Sequence, residues 1–273
     1  MIDIKKSIVC IELLAEKGTE ELLPERFYAL CNGVGIEEQN EKTLLRCYPH
    51  QPEAFLEFVR GSGLPVVIMS VTQKDEEDYG ALVKKYFKSF TIEGVAILPP
   101  WEKISAGKPH IVIDPGMAFG TGRHESTKLM MKCVKGLPIR RKSVLDLGCG
   151  SAILSLYARL QGSTHVIGVD IDPDAVFSAA KNLKLNRTRN VYLACADLAL
   201  LRGTFDVVLA NLDIQTFQRS LRHILQRIAP GGHLVVSGIE STHKNAFLAL
   251  LKPLTPIVTR RMGSWYAFVF RVD

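Results

Sequence analysis

Residues 144–172 read VLDLGCGSAILSLYARLQGSTHVIGVDID. An apolar run ends in Asp146, a tight turn follows at Gly148-Cys149-Gly150, a helical stretch succeeds it, and a second apolar run closes on Asp170. Glycines in such a turn let the backbone approach a ligand and turn helix-end amides toward it. A carboxylate closing the next strand is placed to take ribose hydroxyls. A merely structural strand-to-helix turn with Asp146 as a cap is the competing reading, and it leaves the second acid unexplained. The stretch therefore reads as a nucleotide half-site in an α/β fold.

A dinucleotide fingerprint requires a small residue three places after Gly150, where the helix packs close to the strand. That place is Ile153, which argues against a pyrophosphate. The spacing Asp146-x-Gly148-x-Gly150, with Asp170 24 residues after Asp146, resembles the first two motifs of class I methyltransferases. Such enzymes use S-adenosylmethionine (AdoMet).

Working outward, 273 residues with 47% hydrophobic content support packed cores in one large domain or two smaller ones. Glu12 interrupts the only apolar run near the N-terminus, so neither a leader nor a membrane span is expected, and the cytoplasm is the expected location. Six cysteines at 10, 31, 47, 133, 149 and 195 lack metal-ligand spacing and read as reduced thiols, with no metal expected. Charge is unevenly divided. Residues 1–100 hold 11 Lys/Arg and 16 Asp/Glu, whereas 101–273 hold 23 and 12.

Two mixed units are predicted. In 1–74, a strand at Ile8–Leu14, a helix at Glu20–Leu30, a hairpin of Gly35–Gln39 and Thr43–Tyr48, a helix at Pro52–Gly61 and a strand at Val66–Thr72 give the β-α-β-β-α-β order of a ferredoxin-like fold. It carries no catalytic constellation and reads as a recognition module. Residues 75–100 read as a connector: an acid-led amphipathic helix over 75–90, then a strand stopping at Pro99-Pro100. In 101–273, strands near 111–113, 143–147, 165–170, 190–195, 205–210, 232–237, 255–260 and 265–271 alternate with helices until a final hairpin through Met262-Gly263-Ser264. The helix between Gln215 and Ala229 is expected to end at Pro230-Gly231-Gly232.

Before the half-site lies DPGMAFGTGRHEST, residues 114–127, with three glycines in seven residues. It lacks the Lys-Ser/Thr pair of a phosphate-binding P-loop. Together with DLGCGSAIL, GVDIDPDAV, YFKSF, the Pro99-Pro100-Trp101-Glu102 segment, Ser237-Gly238-Ile239 and Trp265, this loop resembles the bacterial ribosomal protein L11 methyltransferase family across the whole chain. The resemblance implies an N-terminal ferredoxin-like domain that recognises a basic protein substrate, a linker, and a class I methyltransferase domain with a Rossmann-like seven-stranded sheet. It also implies methylation of lysine or N-terminal amines on a large-subunit ribosomal protein, with no direct nucleic-acid requirement and no preference as to oligomeric state. Three positions depart from the family pattern. Ala152 replaces the third glycine of the cofactor loop, where one methyl is expected to fit an already helical backbone; Arg123 replaces a small residue; and Leu212-Asp213-Ile214-Gln215 follows Asn211 in place of an apolar-Ala-x-Pro type of sequence.

Each part of AdoMet asks for a different partner. Amides at Gly148–Gly150 suit its carboxylate, Asp146 its ammonium and Asp170 its ribose hydroxyls, whereas Asp172 is expected to cap the helix starting at Pro173. By resemblance, Asp197 faces adenine, Phe119, Gly120, Thr121 and His124 close the site, and Asn211 orients the accepting amine. His124 reads equally as a proton relay or as a structural hydrogen-bonding group. Two other functions compete: a methyltransferase of RNA or a small molecule, and a noncatalytic AdoMet-binding protein. Against the first, Asn211-Leu212-Asp213-Ile214 lacks the prolines and aromatic residue of base methyltransferases.

Overall fold

A computed structural model describes residues 7–21, 23–39, 41–75, 84, 87–103, 107–115 and 120–273. The chain divides into two units, Met1–Lys88 and Ser89–Asp273.

In the first unit, β1 (Ser7–Glu16), α1 (Glu25–Ala29), β2 (Cys31–Gln39), β3 (Lys42–Pro49), α2 (Pro52–Gly61) and β4 (Val66–Asp75) follow one another. The strands form an antiparallel sheet in the order β2-β3-β1-β4, the ferredoxin-like arrangement. Alternation sends Ile11, Leu13 and Leu45 to one face, where Phe27, Phe55 and Val59 from the two helices meet them. The helix expected over Glu20–Leu30 is broken in two. A 3-10 turn covers Thr19–Glu21 and α1 starts only after Pro24, whose extended backbone (ψ 151°) ends the first segment.

Most of the amphipathic segment 75–90 lies outside the described residues. The end of the expected connector belongs to the second unit: β5 (Phe90–Ile92) and β6 (Val95–Leu98) form a hairpin, and β7 (His110–Val112) joins β6 in parallel. Its turn places Glu93 and Gly94 at φ 50° and 83°, the left-handed pair that matches strand twist.

The rest of this unit comprises α3 (Glu125–Lys135), β8 (Ser143–Leu147), α4 (Ile153–Leu160), β9 (His165–Asp170), α5 (Pro173–Leu185), β10 (Val191–Cys195), β11 (Phe205–Asn211), α6 (Ile214–Leu225), β12 (Ile228–Glu240), α7 (Lys244–Leu250), β13 (Pro256–Met262) and β14 (Trp265–Val272). Seven of these strands make one sheet, β10-β9-β8-β11-β12-β14-β13, parallel except for β14. Central strands β8 and β11 are nearly continuous apolar runs because helices cover both faces of the sheet. Strand order reverses between β8 and β11, and the crevice beyond their C-terminal ends is where open α/β sheets bind ligands.

Pro230-Gly231-Gly232 does not end a helix, contrary to expectation. Helix α6 stops at Leu225, and these residues lie in β12 as a bulge: Phe205 pairs with Ile228, yet Val207 pairs with His233. Gly231 takes φ 71°, and a Cβ on Gly232 would stand 2.6 Å from the Ala229 carbonyl, so the loop closes only with glycines. Among the described residues, no helix is long and apolar enough to cross a membrane.

Candidate active site

Asp146, near the end of β8, is 1% exposed. The Ser155 hydroxyl donates to its Oδ2 at 2.6 Å. No cation stands beside it among the described residues, and burial pushes its carboxyl up to about 7, with Asp170 adding to the rise and Ser155 opposing it. Asp170 closes β9. Its Oδ2 accepts from the Gly150 amide at 2.9 Å and its Oδ1 from the Asp172 amide at 3.1 Å. Two fixed amides therefore orient this carboxylate and leave it further lone pairs.

The turn amides differ from expectation. Gly150 donates to Asp170 and Cys149 to the Val169 carbonyl, so these two are engaged within the protein. What Gly148 and Gly150 contribute is left-handed backbone, at φ 64° and 50°. Ala152 is not helical either. It caps α4 at φ 62° and ψ 22°, a conformation that costs a side-chain-bearing residue roughly 1–2 kcal/mol. A glycine would occupy this position without that cost.

The loop before α3 is laid against the same turn. Ser151 Oγ donates to the Gly120 carbonyl at 2.5 Å, and a Cβ on Gly122 would lie 2.6 Å from Ile153 Cδ1. Gly120 and Thr121 are thus held beside the turn, while Phe119 lies outside the described residues. A residue missed in the sequence ties these parts together. Asn182 of α5, fully buried, donates to the Ser151 carbonyl at 2.9 Å and accepts from the Asp114 amide at 2.9 Å. Its signal is a polar residue on the stripe of Ala175 and Ala179, where an apolar side chain is the rule.

Asn211 is the last residue of β11, and its Oδ1 is buried with no hydrogen-bond partner. The departure that follows has local reasons. A Cβ on Gly148 would come within 2.7 Å of Leu212 Cδ2, so Leu212 packs on the turn itself. A Cβ on Gly238 would lie 2.4 Å from the Leu212 carbonyl oxygen, so glycine there lets the chain pass. Asp213 caps α6 by accepting from the Thr216 amide at 2.9 Å.

His124 caps α3: its Nδ1 meets Ser126 Oγ at 2.8 Å and the Ser126 amide at 3.3 Å. Burial lowers its pKa, which favours the neutral ring. Its ring also stands edge-on to Trp265, centroids 4.6 Å apart. The Arg123 guanidinium lies 4.9 Å from the Phe90 ring centroid, a cation–π contact. Asp197 is exposed and accepts from the Ala199 amide at 2.8 Å, and Asp172 caps α5 by accepting from the Asp174 amide at 2.9 Å. Among the described residues no group of His, Cys, Asp and Glu is placed to hold a metal ion. All six cysteines are free thiols, with Cys195 exposed and the other five buried.

The arrangement sets a buried carboxylate, a preoriented carboxylate, a left-handed glycine turn and an unpaired amide oxygen at the C-terminal ends of neighbouring strands. Comparison with known proteins converges on one description. The family model described as Ribosomal protein L11 methyltransferase (PrmA) matches residues 37–272. The ribosomal protein L11 methyltransferase of Geobacter sulfurreducens is 39% identical over 215 residues, covering 77% of this chain and 71% of the relative. That of Pelobacter propionicus is 40% identical over 222 residues, with the same coverage. The crystal structure of a ribosomal protein L11 methylase from Lactobacillus delbrueckii subsp. bulgaricus superposes with a TM-score of 0.64 at 25% identity, covering 68% of this chain and all of that one.

Proposed function

The chain belongs to the ribosomal protein L11 methyltransferase family, and from that membership we infer that it transfers methyl groups from AdoMet to amino groups of ribosomal protein L11, on lysine side chains, the N-terminal amine or both. AdoMet, when bound, supplies an electrophilic methyl group on a sulfonium. The residues fit such a donor: Asp146 offers a buried carboxyl for its ammonium, Asp170 offers oriented oxygens for ribose hydroxyls, and Gly150 brings no side chain to the turn. Asp197 is assigned to the adenine side, and Phe119, Gly120 and Thr121 to the loop that closes over the donor.

One observation carries the acceptor side of this reading, the unpaired Oδ1 of Asn211. A buried acceptor without a partner costs about 1–3 kcal/mol, and an amine N–H would satisfy it while leaving the nitrogen lone pair free. Only a neutral amine has that lone pair. Deprotonation at pH 7 costs about 4.6 kcal/mol for a lysine near pKa 10.4 and about 1.4 for an α-amine near 8. Desolvation in the crevice favours the neutral form, and fixed orientation supplies the rest of the advantage. His124 anchors the loop through Nδ1, so a proton relay by this residue would run through Nε2. The first unit, with its excess of acids, is assigned to capture of the basic substrate, and the reaction is assigned to the cytoplasm because the proposed acceptor is a ribosomal protein.

The test is direct. Purified protein with isotopically labelled AdoMet should label isolated L11, and Asn211→Ala should lower kcat at least 100-fold while changing AdoMet affinity less than threefold. L11 left unmodified by mass spectrometry sinks the reading.

A further inference from the structure

Residues flanking the parallel strands of the second unit differ in charge from one sheet edge to the other. Asp146, Asp170, Asp172, Asp197, Asp213 and Glu240 all stand at or just beyond the C-terminal ends of the parallel strands. The opposite edge is basic. Arg187 and Arg189 precede β10, Arg140 and Arg141 precede β8, Arg202 precedes β11 and Arg227 precedes β12. By strand order these positions form a row, and at about 4.8 Å per strand it runs ~20 Å. Carboxylates are scarce here: Asp206 pairs with Lys142, and Asp273 with Arg271.

We propose that this edge is a second binding surface that grips the phosphate backbone of RNA, apart from the methyl-transfer crevice. Among the described residues none of the six arginines has a carboxylate within ion-pair distance, and five of them are exposed. Arginine predominates, and its planar fork matches phosphate oxygens bidentately. Two of the row are also held in place, Arg202 by the carbonyls of Ala199 and Leu201, and Arg227 by those of Leu201 and Gly203. Moreover, Arg141 and Arg187 sit at φ 63° and 48°, where glycine or asparagine is cheaper. The large apolar side chains exposed toward this end include Leu160, Leu185 and Tyr192, and the Tyr192 ring, three residues after Arg189 in β10, offers a face on which a base can stack. RNA gripped here is not the methyl acceptor, because strands of six residues place it ~20 Å from the crevice. The surface stands whether or not the proposed acceptor is correct.

Full-length protein titrated into a fluorescein-labelled 24-nucleotide RNA hairpin, read by anisotropy, tests this. Four engaged phosphates give a slope of log K against log salt of about −3, or ~50-fold weaker binding at 200 than at 50 mM KCl. Arg140→Ala, Arg141→Gly, Arg187→Gly and Arg189→Ala combined should weaken RNA binding at least tenfold and leave AdoMet affinity unchanged, with glycine suiting the two left-handed positions. Three results overturn the proposal: no binding at 50 mM salt, equal binding by the variant, or displacement of RNA by polyglutamate at equal charge concentration, which assigns the edge to an acidic protein.

Discussion

At Asp146, β8 buries a carboxylate beside one hydroxyl, with no cation next to it among the described residues. Its folded pKa, about 7, lies above the unfolded value near 3.9. The folded state therefore holds a proton that the unfolded state releases, and the associated stability is present below pH ~4 and lost as pH rises through 7. Melting temperature without cofactor should fall over this interval. Asp146→Asn should flatten the profile and gain of order 1–3 kcal/mol at pH 8, while weakening AdoMet binding more than tenfold. Denaturant titrations at pH 5 and 8 check the first part and calorimetry the second. A variant less stable than the parent at pH 8 would contradict this account. The strand-end positions of Asp146 and Asp170 were legible because apolar runs and glycine spacing mark them. The left-handed backbone of Ala152 was not, since alanine gives no sign of the φ it is forced to take.

Among the elements, α5 does more than cover the sheet. Through Asn182 it joins the start of the 114–124 loop to the turn after β8, and Ser151 extends the link to Gly120. Asn182→Leu keeps the size but strands the buried Ser151 carbonyl and the half-buried Asp114 amide. It should cost about 2–4 kcal/mol of stability and raise KM for AdoMet about tenfold, with kcat changed less, in steady-state assays. An unchanged KM would reduce Asn182 to a packing residue. Long apolar strands and the last hairpin could be read directly because both faces of the sheet are covered and Gly263 marks the turn. Helix boundaries were harder to place. Leu22, Leu23, Phe27 and Leu30 keep helical spacing across Pro24, which breaks the helix, and Ile228 continues the stripe of α6 although it pairs in a strand. Periodicity records which side chains are buried, and a strand that begins where a helix face would continue leaves the same mark.

On the scale of the whole molecule, the two units divide at Lys88/Ser89. The assignment of substrate capture to the first predicts that residues 89–273 alone retain AdoMet affinity within threefold but methylate L11 at least 100-fold more slowly, measured by calorimetry and label incorporation. Undiminished L11 methylation would move recognition into the second unit. Composition already revealed the cationic surplus of residues 101–273, but its location depends on strand order, which brings loops distant in sequence to one edge. The arginine row at one end of the parallel strands and the carboxylates at the other give those two rims opposite sign. Near a large polyanion a body with such rims experiences a torque before any contact forms. It would arrive with its arginines inward and its methyl-transfer crevice turned outward, so an acceptor anchored to that polyanion must reach around the enzyme on a projecting segment.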